Sequence, residues 1–381
     1  MKLRELATIQ SASINPQDAP DCLFHLYSLP SFDENQTREE VIGRNIQSNK
    51  LIVPNRCILF NKLNVRFKRI WLIDNEDENK VCSTEFLPLV VNEEVVDFYY
   101  FFFLLHSPSI TSYLTGQNAN TSGSHKRIDP IAFLDIEITL PSKSEQKRIG
   151  ALLNGLREKI ITNRQQNELL DKLLQTTFSY FISVGSQRAV LGTLCQNVTD
   201  GEHNTVKDTA GGGYFLLSCK NLKDNAVHIS QEREIDQKTF LRIRKRTQLQ
   251  RGDILMSSVG TIGECVYLFD APGNYEFQRS VAIIKPKSAL VGLALYFALR
   301  RQREELEILS HGAVQRCIFI SDLTGFQVEL PKETSIKLFW ERGSSMMSQI
   351  TKNNTQIVEL TELQDYLLPL LMNGQVSVKQ K

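Results

Sequence analysis

Apolar positions along this chain fall into two long helical stripes, each preceded by a series of short β-branched runs. Read in alternating steps of four and three, Ile149, Leu153, Leu156, Ile160, Asn163, Asn167, Leu170, Leu174, Thr177 and Phe181 form a heptad seam. The same steps give a second seam at Phe339, Gly343, Met346, Ile350, Asn353, Ile357, Leu360, Gln364, Leu367 and Leu371, shifted by 190 residues. The first stripe predicts a helix from about Ser144 to Ile182, roughly 58 Å long at 1.5 Å per residue. That is longer than a compact domain is wide, which favours a spacer over the buried face of a helix packed on its own domain. Gly150, Gly155 and Gly343 each cost about 1 kcal/mol of helix propensity, so the first third of each helix is its weakest part. Asn163 and Asn353 occupy matched places in the two seams. A polar seam residue is costly but fixes register, and in an antiparallel pair these two are predicted to meet.

Ahead of the first stripe LIVPNRCILF, RIWLI and FLPLVV, and ahead of the second DILMSSV, CVYLF and SVAIIKP, read as strands broken by Gly, Asn, Pro and Asp. The runs around Tyr99 and Tyr296 read as short helices, although the first is aromatic enough to suit a strand. The segments ahead of each long helix match in order: KLRELATI with VLGTLCQNV, VPNRCILFNKLN with LQRGDILMSSVG, FYYFFFLL with LALYFALR, and GSHKRIDPIAFLDIEITLP with GAVQRCIFISDLTGFQVELP. Pro141 falls on Pro331. An internal duplication follows, and it sets the expected fold. This is an α+β chain with two globular α/β parts, 1–141 and 187–331, and two long antiparallel helices, 142–186 and 332–381, paired as a coiled coil with pseudo-twofold symmetry.

Composition changes this picture little. The 381 residues are 41% hydrophobic and 23% charged, as in ordinary globular proteins. With 44 Lys and Arg against 43 Asp and Glu, any basic surface must be local. The seven cysteines are scattered, without a CxxC pair or a His at zinc spacing, which argues for free thiols in a reducing compartment. The opening MKLRELATIQ lacks the apolar core of a signal peptide, and the run Val95 to Leu105 is too short for the ~20 residues of a membrane span. A cytoplasmic location is expected, with no membrane partner. No phosphate loop, HExxH, GxSxG or strand-following GxGxxG is present. Asn15 and Pro16 lack the Pro-aromatic continuation with which amino-methyltransferases hold an extruded base. The six histidines share no ligand spacing. No catalytic residue and no metal site are expected.

Basic clusters nevertheless recur at equivalent places in the two halves. NKLNVRFKR supplies Lys62, Arg66, Lys68 and Arg69, and SGSHKR adds His125, Lys126 and Arg127. LRIRKRTQLQRG supplies Arg242, Arg244, Lys245, Arg246 and Arg251, while Gln315 and Arg316 fall on the place of Lys126 and Arg127. Phosphate contacts need only positive charge, whereas base reading needs planar donors and acceptors such as Arg, Asn and Gln. One such cluster is more often a solvated surface, but recurrence favours a nucleic-acid surface. The candidate DNA-binding residues are Lys62, Asn64, Arg66, Lys126 and Arg127 in the first half, and His203, Arg244, Lys245, Ser258, Thr261, Gln315 and Arg316 in the second.

LPSKSEQKRIGALL leading into NRQQNELLDKLLQTTF, ILFNKLN with WLI and CSTEFL, and VTDGEHNT, LSCKNL, RGDILMSSVGTIGE and GAVQR share the two-copy layout. Together they resemble the specificity (S) subunit of type I restriction-modification systems over nearly the whole chain. The sequence departs from that pattern where DGEHNT lacks a following Gly-Thr-Pro run, where LPKETSIKLFW lacks the Glu-Gln element of Glu145 and Gln146, and in the diverged last helix. The resemblance implies two target-recognition domains, each reading half of an asymmetric bipartite site in double-stranded DNA, with helix length setting the gap. It implies a non-catalytic subunit without cofactors of its own. S-adenosylmethionine, ATP and Mg would be used by partner methylation (M) and restriction/motor (R) subunits, the first docking on the outer helix faces near Glu145, Gln146 and Arg148. A coiled-coil scaffold with protein-binding globular ends is the alternative the residues leave open.

Overall fold

The structure is a computed structural model that describes residues 1–379 apart from 35, 65, 118–126, 224, 230–232 and 313–314. The chain divides into two compact units, Met1–Ile160 with Glu359–Lys381, and Ile161–Val358. Each unit holds one globular part and a stretch of each long helix.

In the first unit a four-stranded antiparallel sheet runs in the order Ala7–Ile9, Phe86–Val91, Arg56–Asn61, Ile70–Asp74. A second sheet contains the parallel pair Leu23–Tyr27 and Lys80–Cys82, flanked by Glu39–Ile42. The aromatic run FYYFFFLL is a helix, Phe98–Leu105, because Asp97 caps it by accepting from the Tyr100 amide at 2.9 Å and all of its residues but Tyr99 are buried. That helix packs with Ile58, Phe60, Leu87 and Leu89 of the sheet and with Ile149, Leu153 and Leu371 of the long helices. Gly150 is required there: a Cβ would lie 2.7 Å from the Tyr100 backbone nitrogen, so close packing offsets the propensity cost.

The second unit repeats this plan. Its four-stranded sheet runs Cys195–Asp200, Val281–Pro286, Ile254–Ser257, Cys265–Tyr267. Its parallel pair, Tyr214–Leu217 with Tyr275–Phe277, is flanked by Glu234–Ile235. The helix Ala289–Arg301 takes the place of Phe98–Leu105. Buried ion pairs of this unit include Lys285 with Asp253 at 2.6 Å, and Arg300 with Asp171 through two bonds of 2.6 and 2.9 Å.

The long helices span Lys143–Val184 and Glu333–Met372. No position of either predicted seam is exposed. Within the second unit the helices run antiparallel, with Phe181 against Phe339 and Leu174 against Gly343. Asn163 and Asn353 are both buried, yet they do not bond each other. Asn163 donates to Gln356 Oε1 at 3.2 Å, and Asn353 donates to Asn167 Oδ1 at 2.9 Å. The partners therefore lie about one helical turn from the register in which the two asparagines would meet. Neighbouring amides, including Asn354 bonded to Asn167 at 2.7 Å, take up the donors of both asparagines at this offset, while Asn163 Oδ1 is buried without a hydrogen-bond partner.

Candidate nucleic-acid interface

Both units build the same backbone lattice beyond the central strands of their four-stranded sheets. In the first, the Lys62 amide donates to Glu85 O at 2.9 Å and the Ile128 amide donates to Lys62 O at 2.9 Å. In the second, the Ser258 amide donates to Ser280 O at 3.0 Å and the Ile318 amide donates to Ser258 O at 2.9 Å. Bridges between Leu63 and Arg127, and between Val259 and Cys317, complete the match. The lattice moves the expected correspondence by one residue: Arg127 stands where Cys317 does, so Arg316 corresponds to Lys126, which lies outside the described residues.

In the first unit Asn64 turns the loop with a left-handed φ of 52°, a conformation Asn tolerates, and its carbonyl accepts from the Phe67 amide at 3.0 Å. Arg66 is exposed and Lys62 half-buried. Arg127 projects from the lattice and grips Glu85 in a fork, Nε to Oε2 at 2.9 Å and Nη2 to Oε1 at 2.7 Å. The hydrogen bond from Arg127 holds the Glu85 carboxyl below the usual range. Lys68 and Arg69 are committed elsewhere, Lys68 to His106 O at 2.8 Å and Arg69 to both oxygens of Asp33.

In the second unit the loop after Asp200 is pressed onto the end of a strand. A Cβ on Gly201 would lie 2.2 Å from Phe277 O, so only glycine fits. The Glu202 amide donates to Phe277 O at 2.7 Å and the Arg279 amide donates to Glu202 O at 3.0 Å. Burial works against the Glu202 charge, but donors from Asn204 and Arg242 outweigh it and keep the carboxyl low. His203 stands exposed with its ring nitrogen 2.8 Å from Asp200. Thr261, Lys245, Gln315 and Arg316 are also exposed, and the Gly260 amide fixes the loops to each other by donating to Arg316 O at 2.9 Å.

Three expected contacts are placed differently. Arg244 is spent inside: its guanidinium pairs with the fully buried Glu276 and donates to Gly273 O at 3.1 Å and Tyr275 O at 2.9 Å. Helical periodicity turns it inward while Lys245 faces out. Ser258 is buried beneath the lattice it anchors. Gln146, expected as a partner contact, is also interior. It accepts from the Asp97 amide at 3.0 Å and donates to Pro141 O at 2.9 Å, locking the start of the long helix. Glu145 and Arg148 beside it are half-buried, Arg148 bonded to Ser144 at 3.1 Å. Sequence reading missed Arg279, an exposed arginine where the loops around Glu202, Cys219 and Ser258 meet. A single Arg in the turn FQRS carries no cluster signal. Glu85 was missed because an isolated acid gives no sign that it will hold an exposed arginine.

Among the described residues no group of three or more His, Cys, Asp or Glu is arranged to hold a metal, and no helix is long and apolar enough to cross a membrane. The surface offers directed donors on a fixed backbone, which suits recognition.

Residues 25–172 match the family model described as type I restriction modification DNA specificity domain. The chain is 29% identical over 133 residues to the type I restriction enzyme HindI specificity subunit of Haemophilus influenzae, a match covering 35% of this chain and 29% of that protein. It thus spans less than a third of that relative. Over 374 residues it is 23% identical to the MjaVIII specificity subunit of Methanocaldococcus jannaschii, covering 89% of this chain and 85% of that one. The crystal structure of the type I restriction-modification system S subunit from M. genitalium superposes with a TM-score of 0.64 at 12% identity, over 100% of this chain and 96% of that one, so the fold is shared. Residues 25–172 are thus similar to the DNA specificity domain of type I restriction-modification systems, and the whole chain shares the fold of an S subunit of such a system.

Proposed function

We propose that the chain is the DNA-specificity subunit of a type I restriction-modification complex. Each unit binds one half of an asymmetric bipartite site in double-stranded DNA, and the chain positions methylation and restriction/motor subunits without catalysing a reaction itself. One observation carries this reading: the same backbone lattice recurs in both units and presents different polar side chains. Arg66 and Arg127 project from one; His203, Thr261, Gln315 and Arg316 project from the other. A shared scaffold with unlike readers fits two half-sites of unlike sequence, because base identity is read by the side chains and not by the backbone that carries them.

The first long helix supports the partner assignment, since Leu169, Leu173, Tyr180 and Val184 are exposed at spacings that put them on one face. Methylation subunits would cover that stripe, bringing S-adenosylmethionine, while the motor subunits would bring ATP and Mg in the cytoplasm. The deciding experiment is selection from a random double-stranded DNA pool with the chain and a methylation subunit together. Two short motifs at a fixed gap are expected; a pool that enriches no split motif refutes the reading.

A further inference from the structure

Resting on that reading, we infer that Arg127 is a guanine-reading residue of the first unit and that Glu85 is the positioning residue that aims it. Glu85 engages Nε and Nη2 of Arg127 through both carboxylate oxygens, at 2.9 and 2.7 Å. A guanidinium has a second pairing edge, formed by Nη1 and Nη2, and the grip of Glu85 leaves that edge directed away from the carboxylate. The side chain of Arg127 is 58% exposed while that of Glu85 is 20% exposed, so the carboxylate sits behind the arginine. Two parallel donors on a held plane match the O6 and N7 acceptors of guanine in the major groove.

The backbone fixes both partners. Glu85 O accepts from the Lys62 amide, and Arg127 lies in the bridge to Leu63, so carboxylate and guanidinium hang from the same lattice. A carboxylate that merely neutralised a surface arginine would need no such support. At the corresponding places of the second unit stand Ser280 and Cys317, which cannot form a charged fork. The guanine therefore belongs to the half-site read by the first unit. Arg66 and Lys62 nearby supply charge for the flanking phosphates, and among the described residues neither is held in a carboxylate fork.

The test repeats the random-pool selection, in complex with a methylation subunit, for the wild-type chain, Arg127→Lys and Glu85→Gln. Arg127→Lys keeps the charge and loses the planar fork. It should lower the preference for guanine at one column of one half-motif by about 10- to 100-fold, leaving the other columns and the second half-motif intact. Glu85→Gln should weaken the same column less and no other. A wild-type split motif in which neither substitution changes any column overturns the inference and leaves the proposed function standing. Loss spread evenly over the half-motif reduces Arg127 to a phosphate contact and also overturns it. If the wild-type complex enriches no split motif, function and inference fall together. Melting curves of both variants, expected near wild type because the arginine of the pair is largely solvent-exposed, separate base reading from folding.

Discussion

The arginines of the helix Gln237–Thr247 show how neighbouring residues of one type take different work. Arg242 and Arg246 reach the loop after Asp200, Lys245 faces solvent, and Arg244 turns inward to Glu276. From sequence these were one basic cluster, since charge alone does not say which members of a helical turn face the core. The carboxylate Glu276 that decides the matter sits 32 residues away, in a strand. Arg244→Ala should leave Glu276 buried without its counter-charge, at a cost of about 3–5 kcal/mol. Burial already pushes the Glu276 carboxyl up, and loss of Arg244 should push it further. A carboxyl whose folded pKa is raised penalises folding above that pKa and is relieved as pH falls through it. The melting-temperature deficit of the variant should therefore be larger at pH 7 than at pH 5. A variant that melts like wild type but loses base preference would return Arg244 to the DNA surface.

Among the elements, the long helices were the most legible, because a heptad stripe is a local pattern repeated many times. Every predicted seam position is shielded, and the aromatic run before Leu105 is a helix. Their register was not legible. It depends on which amides find one another and on Leu174 meeting Gly343, both matters of three-dimensional fit. The anchor between the first long helix and the helix Ala289–Arg301 was equally hidden: Asp171 takes both ends of the Arg300 guanidinium, which also lies near the Tyr296 hydroxyl at 3.3 Å. Asp171→Asn keeps the shape but leaves a mostly buried charge without its partner, and should destabilise the protein by about 3 kcal/mol in denaturant melts. Replacing both residues, Asp171→Asn with Arg300→Met, should recover part of that loss. A single substitution that costs nothing would show that helix packing alone holds this junction.

For the whole molecule, the duplication visible as matched segments reappears as matched strand orders and matched backbone bonds, while near-neutral net charge turns out to hide local basic surfaces tied to nearby acids such as Glu85, Glu202 and Asp33. The division between the units, at Ile160 and Ile161 and again at Val358 and Glu359, falls inside unbroken helices and not at their ends. Each long helix therefore contributes residues to both units. Deleting one heptad from both helices preserves the facing pattern of the seam, because seven residues return the stripe to the same side. It shortens each helix by about 10 Å, or roughly three base pairs at 3.4 Å per step. The selected DNA should keep both half-motifs and change only the gap between them, by about three base pairs. Deleting three or four residues instead should rotate the seam and cost stability before it alters spacing. Should the heptad deletion fold normally and return the wild-type gap, the helices do not set the distance between half-sites, and the loops or partner subunits must.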